Sequence, residues 1–236
     1  MQTSGGDEQI SSIVAAAHEL KSPLALMRQL SLRLADENLP ESRRAQYIRQ
    51  ITLVSERSLR LTSNLTKAAR LEDALFSLEP INPDQLCRDI VTELTPLFES
   101  YGRTLQLEER RHPLLLIANR DLLRRIILGF SDNALHYAQA STPVRIQIQA
   151  LKRAGYVRIG VRDYGPALSS SFWQEMRRTS LAPSHVVQAR PESSGLGLYI
   201  SQQFAEAMNG RIGTVRHKDG ATFYVELQAS SQLSLL

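Results

Sequence analysis

Apolar residues in the first third of the chain recur at Ile10, Ile13, Ala17, Leu20, Leu24, Met27 and Leu34, with Ser31 filling the one polar place. The steps alternate between 3 and 4, which is the a/d seam of a heptad helix. A helix over residues 8–36 is roughly 43 Å long at 1.5 Å per residue. DENLPE, residues 36–41, then breaks the pattern with turn formers and Pro40. A second helical run, residues 42–73, carries the seam Ile51, Val54, Ser58, Leu61, Leu65, Ala68. Two long helices and a short turn make an antiparallel hairpin. A lone hairpin leaves most of its apolar seam in water, so the pattern predicts a second copy and a dimeric four-helix bundle.

The heptads end at LEDALFSLEPINPDQL, residues 71–86, where Pro80 and Pro83 appear. The domain boundary belongs here, with the hairpin over 8–73 and a second domain over 78–230. Beyond it the period alternates between helix and strand. Residues 83–99 and 120–138 read as helices, the second strongly apolar. LQLEE and LLLIA read as short strands. Residues 144–151 and 156–163 alternate with period two across a polar turn containing Gly155, which predicts a strand pair. A loop-like stretch, 164–194, precedes a helix over 197–208 and strands over 211–215 and 221–228. The expected second domain is an α/β sandwich: one mixed sheet with helices on one face.

Composition adds little to this. With 42% hydrophobic and 22% charged residues, the 236-residue chain is an ordinary folded one. A net charge of +4 is too mild to argue for a nucleic acid partner. The one cysteine, Cys87, excludes an internal disulfide and fits a reducing compartment. No apolar run approaches the roughly 20 residues that span a bilayer, and MQTSGGDEQ lacks the features of a signal peptide.

The chemistry begins at AHELKSPL, residues 17–24. With Ala17 at a and Leu20 at d, His18 falls at b, away from the seam, and Ser22 lies four residues on at f. Glu19, beside His18, can hold one ring proton and leave the other nitrogen nucleophilic. Pro23 removes a backbone N–H, so the carbonyl of Glu19 loses its helical partner. By itself the string also fits a surface histidine in a helix that happens to contain proline.

HELKSPL closely resembles the H-box of HisKA-type sensor histidine kinases. The resemblance implies that His18 is the phosphorylated histidine, Glu19 its acid/base neighbour, and Ser22 the polar position used in dephosphorylating the partner. It implies that residues 8–73 are the dimerisation and phosphotransfer hairpin, followed by an ATP-binding domain of the Bergerat (GHKL) type. Three further strings are similar to that family's nucleotide boxes, in the family's order. FSDNALHYA, residues 130–138, resembles the N-box. There Asn133 would join Mg²⁺, His136 stands at the basic phosphate-facing position, and Tyr137 holds the aromatic place. An Asn oxygen suits such a hard cation. VRDYGPAL, residues 161–168, resembles the G1 box, with Asp163 accepting from the adenine amino group, Gly165 giving clearance, and Ala167 at the second glycine. SSGLGLYIS, residues 193–201, resembles the G2 box. Gly195, Leu196, Gly197 and Leu198 there bring backbone N–H groups and a helix N-terminus to phosphate. GATFYVEL resembles the closing strand, with Thr222 expected near adenine.

The resemblance thus implies a protein histidine kinase using ATP and Mg²⁺. Its partners would be a second copy of the chain and a response regulator receiver domain. The site would be cytoplasmic, with a membrane reached only through a segment absent from this chain. Gly129, Ala167 and Ser193 depart from the family's usual residues. They motivate an alternative, a catalytically degenerate dimer that binds a response regulator without kinase activity. A general ATPase of the same superfamily is a third reading, and HELKSPL argues against it.

Overall fold

A computed structural model describes residues 20–68, 77–108, 115–137, 142–151, 155–165 and 196–230. The hairpin's first helix, α1, is helical over 20–34, straight through Pro23, and the second, α2, spans Glu41–Ala68. Arg44 ties off the turn by donating to the carbonyls of Leu34 at 3.1 Å and Asp36 at 3.3 Å. The stripe withdrawn from solvent on α1 is Leu20, Pro23, Met27, Leu30 and Leu34. Two of its five places are one residue back from the expected seam, so Leu24 and Ser31 are exposed while Leu30 is buried. On α2 the expected seam is partly withdrawn from solvent throughout. Its last three members, Leu61, Leu65 and Ala68, pack against the core of the second domain.

That domain opens with a strand the sequence did not announce, β1 (Glu79–Ile81). It pairs antiparallel with β3 (Leu116–Ala118) as a separate two-stranded sheet. Helix α3 (Pro83–Ser100) follows, started by Asn82, whose side-chain oxygen accepts from the N–H groups of Asp84 at 3.0 Å and Gln85 at 3.3 Å. Then come β2 (Leu105–Leu107), α4 (Arg120–Tyr137), β4 (Val144–Leu151), β5 (Tyr156–Asp163), α5 (Leu196–Ala207), β6 (Arg211–His217) and β7 (Gly220–Gln228). The main sheet runs β2-β4-β5-β7-β6. Only the β2–β4 pair is parallel. Among the described residues the expectation of a single mixed sheet is therefore corrected to two sheets, the larger of them mixed.

Alternation fixes which face is which. Val144, Ile146, Val157, Ile159, Val161, Phe223, Val225 and Leu227 point to one side and form one core with α3, α4 and α5. Cys87 lies in that core, where burial raises its thiol pKa to about 12. The other face carries polar residues. Glu226 is fully buried there between Arg158, whose Nε donates at 2.8 Å, and Arg211, whose Nε donates at 2.6 Å. The Arg158 guanidinium also stands 4.0 Å from the centroid of the Tyr224 ring.

Candidate functional site

Helix α4 organises the candidate site. Gly129, Asn133 and Tyr137 follow one another at four-residue steps and so share one strip of the helix. At the Gly129 end, a Cβ would stand 3.6 Å from Ser201 Oγ of α5, which marks where the two helices meet. At the Tyr137 end, a Cβ on Gly165 would press on the Tyr137 carbonyl, with its carbon only 3.0 Å away. Along α4, Asn133 therefore lies between the contact with the middle of α5 and the contact with Gly165, just past the end of β5. It is half-buried, and its side chain forms no hydrogen bond with another described residue. Its amide oxygen is a hard donor of the kind Mg²⁺ accepts alongside phosphate oxygens and water. Among the described residues no group of three His, Cys, Asp or Glu could hold a metal by itself.

Asp163 ends β5 and is 1% exposed, on the core face of the sheet. Its cross-strand neighbour is Ala221. Gly220, at φ +134°, brings the β6–β7 turn against it, and a Cβ there would stand 2.9 Å from Asp163 Oδ1. Positive φ and this close approach both require glycine. His136 and Tyr137 close α4 with their rings edge to face, centroids 5.3 Å apart; His136 is exposed and Tyr137 half-buried.

Leu196 opens α5, and Gly197 and Leu198 lie in its first turn. A Cβ on Gly197 would meet nothing within 4 Å. Leu198 is 6% exposed and packs into the core, so only its backbone is available for a ligand. Ser201 Oγ donates to the carbonyl of Gly197 at 2.8 Å and steadies that turn. The first-turn N–H groups of an α-helix are left without intrahelical partners, and its dipole adds positive potential there.

Thr222 is not at this site. It pairs with Arg162, so it faces the opposite side of the sheet from Asp163. Its hydroxyl lies 2.9 Å from His217 Nε2. There it lines a pocket of about 180 Å³ with Gln147, Gln149, Arg158, Gly160, Val215 and His217. The strand residue beside Asp163 is Ala221, and alternation from Phe223, Val225 and Leu227 gave the signal. Ser22 is exposed on α1. His18, Glu19, Ala167 and Gly195 lie outside the described residues.

Missing from the sequence reading were the contacts that join α2 to α4. Arg60 donates to Asp132 at 3.3 Å, next to Asn133. Lys67 and Arg125 both bond Asp121, and Arg125 also reaches Asn64 at 2.6 Å. Burial works to raise the Asp121 pKa, but hydrogen bonds from Lys67 and Arg125 outweigh it and leave the carboxyl below its ordinary value. No spacing rule links residues so far apart. An i,i+4 Asp121–Arg125 pair was the one legible fragment.

Residues 118–231 match the family described as histidine kinase-, DNA gyrase B-, and HSP90-like ATPase. The chain is 28% identical over 218 residues to the sensor protein kinase PmrB of Pseudomonas aeruginosa, spanning 90% of this chain and 43% of PmrB. It thus spans less than half the length of that relative. Full-length ShkA in complex with AMPPNP superposes with a TM-score of 0.63 at 21% identity, over 95% of this chain and 47% of ShkA. Histidine kinase ThkA, solved in complex with the response regulator protein TrrA, gives 0.62 at 16% identity, over 91% of this chain and 60% of that one. The two solved structures are likenesses of fold. Among the described residues no helix is long and apolar enough to cross a membrane.

Proposed function

Since residues 118–231 belong to the histidine kinase-, DNA gyrase B-, and HSP90-like ATPase family, and the chain is homologous to sensor histidine kinases, we propose that it is the autophosphorylating core of such a kinase. The observation that supports this reading is the α4 strip, on which Asn133 lies between Gly129, at the contact with Ser201 of α5, and Tyr137, whose carbonyl lies against Gly165 just past β5. That spacing suits a nucleotide laid with its phosphates toward α5 and its base toward β5. Asp163 accepts from the adenine amino group, and Gly165 lets the base approach. The first turn of α5 receives the phosphates, and His136 adds a donor near them. Asn133 would hold Mg²⁺, which would supply charge neutralisation at the phosphates.

His18 supplies the acceptor. One imidazole nitrogen attacks the γ-phosphorus, the bond to the β,γ-bridging oxygen breaks, and ADP leaves. Glu19 holds the proton on the other ring nitrogen. Positioning and charge neutralisation account for most of the acceleration in such transfers. The phosphoryl group then passes to an aspartate of a response regulator receiver domain docked on the hairpin, and Ser22 orients water for the reverse, phosphatase step. The working unit is a homodimer. Its place is the cytoplasm, as the cytoplasmic portion of a membrane sensor.

Incubation with γ-labelled ATP should give acid-labile, base-stable label on the chain. His18→Gln should abolish the label and keep nucleotide binding. Label retained by that variant would refute the assignment. Absence of Mg-ATP binding at millimolar nucleotide would favour the degenerate, regulator-binding dimer.

A further inference from the structure

Arg162 precedes Asp163 on the opposite face of β5 and is 6% exposed. A guanidinium so far from water needs its charge and donors matched. Nη1 donates to the backbone carbonyl of Asp163 and lies 3.5 Å from that of Ala221. Nη2 donates to Asp219 Oδ1 at 2.6 Å, in the β6–β7 turn. The guanidinium carbon stands 4.2 Å from the centroid of the Tyr164 ring. One side chain therefore grips the peptide leaving Asp163, the ring of the next residue, and the turn that delivers Gly220. Because Gly220 sits against the Asp163 carboxylate, the same grip also sets the clearance around it.

We propose that Arg162, together with Asp219, is a positioning residue that aims Asp163 from the far side of the sheet and so sets selectivity for a nucleobase carrying a 6-amino group. This rests on the reading of Asp163 as the adenine contact. The effect is indirect, since Arg162 faces away from the nucleotide side. A carboxylate–amino hydrogen bond weakens steeply when misaligned. A site built around such a bond rejects a ligand that lacks the partner group.

The test is calorimetric titration of the whole chain with Mg-ATP and with the Mg complex of purine riboside triphosphate, which lacks the 6-amino group. Wild type is compared with Arg162→Lys, Asp219→Asn and Asp163→Ala, the last of which removes the acceptor. Lysine keeps a charge opposite Asp219 but cannot also hold the carbonyl and stack on Tyr164. Wild type should prefer ATP by about 10-fold or more. Arg162→Lys should lose most of that preference through weaker ATP binding, with the analogue's affinity held within about twofold. Asp219 has a side chain 65% exposed, so its replacement spares the core, and it should show a smaller loss of the same kind. Equal weakening of both ligands, or a lower melting temperature with the preference intact, would mean a structural role only and overturn the proposal. If Asp163→Ala abolishes the preference while Arg162→Lys and Asp219→Asn keep it, the role of Arg162 alone falls. If Asp163→Ala itself keeps the preference, the nucleotide reading falls and takes the proposal with it.

Discussion

Gly165 has no room for a methyl group. The atoms in the way belong to the Tyr137 backbone, which cannot rotate aside as a side chain can. Gly165→Ala should therefore displace the last turn of α4, cost about 1–3 kcal/mol as overpacking does, and weaken nucleotide binding as well. Denaturant titration and calorimetry on the same variant check both. Gly197→Ala meets nothing within 4 Å and should keep its stability, so the two glycines separate clearance from chain flexibility. At this scale the sequence was readable where chemistry and position coincide. Asp163, Gly165 and Asn133 stand where the strings placed them along their elements. Thr222, expected near adenine from the likeness of GATFYVEL to a closing strand, lies on the other face, as the period-two rule visible in Phe223, Val225 and Leu227 assigns it. Arg162 carried no signal, since an arginine between Val161 and Asp163 reads as an ordinary solvent-side strand residue until the Asp219 turn is folded against it.

Strands β4 and β5 lie where the alternation predicted, because each has one apolar face against helices and one polar face. The three residues of β1 are too few to show a period, and Pro80 argues against a strand, so its pairing with β3 was hidden. The docking of α2 is the largest feature at this scale that only the fold reveals. Its ion pair between Lys67 and Asp121 predicts a pH dependence. Asp121 is held below its ordinary value of 3.8, so the stabilisation is fully present above that value and is lost as pH falls through the lower folded one. Thermal unfolding of wild type and Asp121→Asn should differ at about pH 6, and the gap should narrow as the pH is taken below 3.8. Side chains 41% and 44% exposed are screened by salt, so added salt should narrow the gap as well.

Across the whole molecule, the large apolar side chains left in water concentrate on the hairpin. Leu24, Leu26, Leu32, Ile48 and Leu59 are 43–68% exposed, and Tyr101 is the other such residue among those described. Fully burying a leucine gains about 1.5–3 kcal/mol, so several together favour a second copy over water. Leu24→Glu with Leu59→Glu should convert a dimer to a monomer, read as a halved mass by light scattering; an unchanged mass would dismiss the bundle. Of these exposed residues only Leu24 belongs to the expected heptad seam, and the seam on α2 is divided between two neighbours. Helix α2 is 28 residues long, about 42 Å at 1.5 Å per residue. Ile51 and Val54 belong to its hairpin half, and Leu61, Leu65 and Ala68 are pressed on the nucleotide domain. Such a rod is torsionally stiff. A twist of about 20° applied near Pro40 would sweep the side chains at the other end, about 5 Å off axis, through nearly 2 Å, a slip of the size at which packed helix contacts change from one seating to another.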